Sequence, residues 1–144
     1  MDKYTLMCNK LKQLYDYPKI RQIIIKEKTM EEHLILRSID MGPEPGGWDT
    51  FNLTTKKYDY LDEEEDIWFI KPSLEDLIEM LEDMAKDNED AIFICGAKGS
   101  YEAKRSWGEK LLKANTTQEA LLKLVAYKRW GLVWSDEKAD WEEK

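Results

Sequence analysis

The chain has 144 residues, 42% hydrophobic and 36% charged, with a net charge of −8 and two cysteines. That length holds one domain with a buried core, its apolar and aromatic content lies on the globular side of the disorder boundary, and Cys8 and Cys95 are too few for a disulfide scaffold. The acid excess excludes a general nucleic-acid binder, which needs clustered Lys and Arg to neutralise phosphates, and no apolar run approaches the ~20 residues of a bilayer span.

Taken in order, Tyr4, Met7, Cys8, Leu11, Leu14 and Tyr15 recur at spacings of three and four, which predicts one amphipathic helix. Tyr17-Pro18 ends it, because a residue before proline is pushed out of the helical region. This first stretch lacks the uninterrupted apolar run of a signal peptide, so a cytoplasmic location is expected. Residues 20–25, with three consecutive isoleucines, and residues 33–39 predict two strands joined by a polar turn.

Residues 41–48 carry two prolines and three glycines and predict a loop. A short strand is expected at residues 51–54, then a turn at 55–57, an exposed acidic connection at 62–66 and a buried strand at 67–70. Ser73 has the chemistry of an N-cap, with Glu75 and Asp76 in the first turn where the helix dipole favours anions. The helix it opens has Leu74, Leu77, Ile78, Leu81, Met84 and Ala85 on one face and carboxylates on the other.

Residues 91–95 predict a strand, 96–100 a turn and 101–107 a returning strand. Thr116 and Glu119 match the capping box of a helix over residues 117–130, with Gly131 in the left-handed position that stops it. Residues 132–134 and 139–141 flank a polar turn and predict a small terminal hairpin or a frayed tail, in which Trp134 and Trp141 are either exposed for binding or clamp the segment onto the body. The fold class is therefore α+β: a single domain with an antiparallel sheet of hairpins packed with about three helices.

No catalytic constellation stands out. His33 is the sole histidine, which excludes zinc sites of the usual composition and leaves a nucleophile–histidine pair without a companion motif; an ordinary strand-edge histidine is expected. The Gly-Ala-Lys-Gly-Ser segment at 96–100 lacks the spacing and the following helix of a phosphate loop. The acid run lacks the alternating pattern of a calcium loop. No cofactor or metal is expected, and the chain reads as a non-enzyme.

Charge segregation is the feature that suggests a role. Residues 59–90 hold fourteen carboxylates against Lys71 and Lys86, a net of −12, whereas residues 1–30 and 91–130 carry nets of +4 and +5. Like charges on neighbouring helical turns repel by a few tenths of a kcal/mol per pair, roughly, so a retained acidic face suits a basic partner. The candidate contact residues are Asp62, Glu63, Glu64, Glu65 and Asp66 in the connection, and Glu75, Asp76, Glu79, Glu82 and Asp83 on the helix. A different class of reading makes the protein a binder of a nucleotide signal through Lys98, Tyr101, Lys104, Arg105 and Trp107. A structural role in a larger complex is a third.

Ile67-Trp68 before Pro72-Ser73-Leu74-Glu75-Asp76-Leu77, then Glu119-Ala120-Leu121-Leu122, then Tyr127-Lys128-Arg129-Trp130-Gly131 with Trp134, resembles small accessory proteins encoded by phages and prophages of Gram-positive bacteria. The likeness covers about residues 67–141, and its motifs carry no catalytic residues. It implies a viral accessory protein acting inside a bacterial host. Small acidic proteins of that kind often bind and block host proteins, including nucleic-acid-handling defence enzymes such as CRISPR nucleases. The expectation is an inhibitor of a basic, nucleic-acid-binding host protein through a nucleic-acid-mimicking surface, with no direct nucleic-acid or membrane contact. Nothing in the pattern fixes an oligomeric state.

Overall fold

A computed structural model describes residues 2–41, 44–84, 93–97, 100–104 and 112–144, with backbone only for 38–41, 44–45, 84, 93–97, 100–104 and 112. The chain is α+β, as its alternation of patterns predicts, and its contacts gather into two compact units, Leu11–Pro72 and Met1–Lys10 with Ser73–Lys144.

The unit Leu11–Pro72 is a five-stranded antiparallel sheet. Its strands are β1 (Ile23–Lys26), β2 (Glu31–Met41), β3 (Glu44–Asn52), β4 (Lys57–Asp62) and β5 (Trp68–Lys71), in the order β4-β3-β2-β1-β5. The branched isoleucines of β1 make it the inner partner of both β2 and β5. Although β4 and β5 are the two ends of that order, only a short turn joins them, and it is tightened by a bond from the Asp66 amide to the Asp62 carbonyl (3.2 Å). A flat sheet would hold those edges roughly 19 Å apart at the ~4.8 Å strand spacing, so the sheet must curl. The rings confirm it: Trp48 of β3 meets Trp68 of β5 edge-to-face with centroids 6.1 Å apart, and Tyr15 lies on Trp68 at 5.3 Å. Ile24, Ile35, Leu61 and Ile70 complete the buried inner face.

Tyr15 comes from a 3-10 helix, Lys12–Asp16, and the predicted single first helix is in fact broken. The α-helix α1 runs Lys3–Lys10, and Leu11, at φ −92° and ψ 82°, starts the tighter turn. The spacing Leu11–Leu14 serves a three-residue period as well as it serves a 3.6-residue one.

Two further expectations fail here. Residues 44–48 are strand, not loop: Pro45 and Gly46 sit where β3 extends past its β4 partners, next to an irregularity against β2, so no β4 ladder bond is lost to proline. Gly47 then pairs with Asp62 and lies under the Tyr60 ring, a close approach that only glycine allows. Ile67, read as the start of a buried strand, is 69% exposed, while Trp68, Phe69 and Ile70 are buried. On β4, the Tyr60 and Asp62 amides donate to the carboxylates of Asp59 and Asp66, each at 2.8 Å.

The other unit holds α1, α2 (Leu74–Met84), α3 (Thr117–Trp130), a three-stranded sheet of β6 (Phe93–Ala97), β7 (Ser100–Lys104) and β8 (Leu112–Ala114), and the hairpin β9 (Leu132–Ser135) with β10 (Asp140–Glu143). β8 was not anticipated from the sequence, and residues 91–92, 98–99 and 105–107 of the expected strands and turn lie outside the described residues. The helix ends behave as their chemistry dictates. Thr116 Oγ1 accepts from the Glu119 amide and donates to Glu119 Oε2 (2.9 Å), and Gly131, at φ 67°, stops α3 with its amide on the last carbonyls. Leu121, Leu122, Leu124 and Val125 of α3 are buried, each such side chain contributing roughly 1.5–3 kcal/mol.

The terminal segment is a hairpin, and of the two readings of its tryptophans the packed one holds. Trp134 is buried and packs edge-to-face on Trp141 at 5.2 Å, and Trp141 Nε1 donates to the Met7 carbonyl of α1 (3.0 Å). No helix among the described residues is long and apolar enough to cross a membrane.

Candidate functional site

The acidic stretch divides between the two units. In the sheet unit, the run 62–66 folds as an ordered turn. Asp62 Oδ1 accepts from the amides of Glu64 (2.8 Å) and Glu65 (3.1 Å), the arrangement by which an aspartate imitates a backbone turn. Asp66 Oδ2 takes the Asp62 amide, and its Oδ1 stands 3.6 Å from Lys26 Nζ. Two of the five candidate carboxylates are thus committed to building the turn, and one of those also faces a lysine. Glu63, Glu64 and Glu65 are exposed. Beside them, a groove of about 290 Å³ is lined by Lys26, Glu27, Lys28, Glu65, Asp66 and the exposed Ile67, so charges of both signs meet there.

In the other unit, α2 carries its carboxylates as predicted. Ser73 Oγ accepts from the Asp76 amide (3.1 Å), and Asp76 Oδ2 accepts from the Ser73 amide (2.8 Å), a reciprocal cap that commits Asp76 to the helix start. Glu75, Glu79, Glu82 and Asp83 are exposed, and at 3.6 residues per turn they fall within an arc of about 100°. Leu77, Met80 and Leu81 are buried on the opposite side, and no basic residue stands in the last turn. Met80 was absent from the predicted apolar face, whereas Leu74, included in it, is 38% exposed.

Of the alternative ligand residues, Tyr101 and Lys104 belong to β7, where the Tyr101 backbone pairs with Gly96 and Ala114, and that of Lys104 with Phe93. Lys98, Arg105 and Trp107 lie outside the described residues. No group of three or more His, Cys, Asp or Glu among the described residues is placed to hold a metal ion.

Sequence reasoning missed one polar cluster altogether. His33 is not at a sheet edge: it sits on β2 between β1 and β3, with no exposed surface. Its Nδ1 lies 3.1 Å from Thr50 Oγ1, and its Nε2 lies 3.5 Å from Asn52 Nδ2 and 3.8 Å from Glu31 Oε2. Asn52 Nδ2 also donates to Glu31 Oε2, and Asn52 Oδ1 accepts from the amides of Thr54 (2.9 Å) and Thr55 (3.0 Å). Thr50 and Asn52 are buried too. The alternation Thr50-Phe51-Asn52 contained the signal, since it places two hydrogen-bonding side chains on the inner face of a strand.

Comparison of the chain with protein-family models, with curated proteins and with solved structures finds no match in any of the three.

Proposed function

We propose that this is a non-enzymatic binding protein whose acidic α2 face occupies a basic, nucleic-acid-facing site on a partner protein. The observation that carries the reading is the exposed row Glu75, Glu79, Glu82 and Asp83 on one face of a helix capped at its start. At 1.5 Å rise per residue the row spans about 12 Å, a length over which one DNA strand presents about four phosphates at 3.4 Å each. Side chains fixed on a helix lose less freedom on binding than those on a loop, and a field of one sign speeds encounter with a surface of the other. Glu63, Glu64 and Glu65 present a second acidic element in the sheet unit. The partner class, a nucleic-acid-handling host defence protein of the CRISPR-nuclease kind, follows from the resemblance to phage accessory proteins.

The test is charge reversal. Wild-type protein and the triple variant Glu75→Lys, Glu79→Lys, Glu82→Lys are immobilised and exposed to lysate of a Gram-positive host, and each retained protein is then assayed for nucleic-acid binding. The wild type should displace nucleic acid from the captured partner, with an affinity that falls as salt rises, and the variant should not. Equal displacement by both proteins removes the reading.

A further inference from the structure

The hydrogen bonds around His33 can be followed to a single protonation state. Thr50 Oγ1 donates to the Asp59 carbonyl (3.3 Å), so its one proton is spent and it faces His33 Nδ1 as an acceptor; Nδ1 therefore carries a hydrogen. On the other side, Asn52 Oδ1 is fixed by the amides of Thr54 and Thr55, which turns the NH2 of Asn52 towards Glu31 and His33. His33 Nε2 thus faces a donor and serves as an acceptor. These contacts fit a neutral imidazole in the Nδ1–H form.

This one ring joins three strands. Through Thr50 it reaches the β4 backbone at Asp59, and through Asn52 it reaches the 53–56 turn that connects β3 to β4. Among the described residues of this inner face the other buried polar side chains, Thr50, Asn52 and the unpartnered Trp48 indole N–H, do not titrate, so His33 is the buried member of the network whose donor and acceptor roles change near neutral pH.

We propose that His33 is a proton-operated latch: neutral, it holds the β3–β4 hairpin against β2, and protonated, it loosens that hairpin together with the acidic turn that follows it. A proton on Nε2 sets N–H against the N–H of Asn52 and places a full charge on a ring with no exposed surface. The charged groups that face the ring are Glu31 on its own strand, Lys26 on β1, Asp59 on β4 and Asp66 in the turn. Three carboxylates against one lysine favour the charged ring, and burial opposes it. Burial wins and holds the imidazole below its ordinary value, because Glu31 Oε2 is 3.8 Å away and already accepts from Asn52.

The sign follows from linkage. A histidine whose folded value lies below its unfolded one contributes stability that is present above about pH 6.5 and is lost as pH falls through the folded value. The latch is a property of the sheet and stands apart from the binding reading; a pH-dependent affinity for a basic partner would rest on that reading as well.

Because His33 is the chain's sole histidine, its titration appears as one imidazole resonance in the intact protein. The expected result is an Nδ1–H ring at pH 7.5 and a midpoint below about 6.5. Amide exchange at Thr54, Thr55 and Asp59 should quicken at least about tenfold between pH 7 and pH 5, beyond the intrinsic pH dependence of exchange. His33→Gln, which cannot be protonated, should lose that acceleration. An Nε2–H ring, a midpoint at or above the ordinary value, or hairpin exchange with no acceleration on acidification overturns the latch. The wild-type measurements decide this even if the variant fails to fold.

Discussion

Replacing Gly47 by alanine tests whether the β3–β4 pairing is as tight as it stands here. A Cβ built at Gly47 would overlap the phenol end of Tyr60 and approach the Leu61 carbonyl to 2.7 Å. The two clashes differ in kind. Tyr60 is 41% exposed and can swing away, giving up its cover of the strand, whereas Leu61 is fully buried and its backbone is paired with Trp48. Relief through the ring alone is therefore incomplete, and the strand itself must shift. Overpacking of this kind costs about 1–3 kcal/mol. A loss of about 2 kcal/mol corresponds to roughly a thirtyfold fall in the folding constant and, for a chain of this length, about 6 °C in Tm. Guanidinium melts of wild type, Gly47→Ala, Tyr60→Ala and the double variant separate the parts: the double variant should recover some of the loss but not all of it. Gly47→Ala within about 0.5 kcal/mol of wild type, or complete recovery in the double variant, would refute the argument.

Gly131→Ala forces a Cβ into the left-handed region at φ 67°, where among the described residues it meets only Lys144 Cε at 3.6 Å, so the cost is conformational and should be about 1 kcal/mol in the same melts. The Lys3 ammonium, 2.8 Å away, and then the Trp134 indole N–H hold the Asp136 carboxyl below its usual range. Its contribution is present above the unfolded carboxylate value of about 3.9 and is lost as pH falls through the lower folded one. Asp136→Asn should therefore flatten the acid limb of the stability curve slightly and lose its effect in high salt, as expected of an exposed pair.

The parts of the fold that were legible in the sequence are those whose signals are local. Thr116 with Glu119, Gly131, and Ser73 with Asp76 each act within five residues, and each stands in the role its chemistry predicts. The carboxylate face of α2 followed from the helical period alone. What could not be read depends on partners far along the chain. Pro45 and Gly46 mark a loop by composition, yet the β2 pairing of β3 makes them strand, and their tolerance comes from the absence of a β4 neighbour at that point. The placement of His33 inside a curled sheet depends on Thr50, Asn52 and Asp59, seventeen to twenty-six positions later. The acid run reads as a loose charged tract, but Asp62 and Asp66 are turn-forming residues whose partners are backbone amides.

The outer rim of β4 carries a last consequence. A terminal strand with unengaged amides is a template on which a foreign strand can settle, and sheets that grow in this way end as fibres. Here two of the amides along that rim, those of Tyr60 and Asp62, are already engaged by side-chain oxygens from Asp59 and Asp66. An incoming chain would have to evict two anions before forming its first bonds there. Part of the negative charge in this region thus guards the sheet against being lengthened by its neighbours.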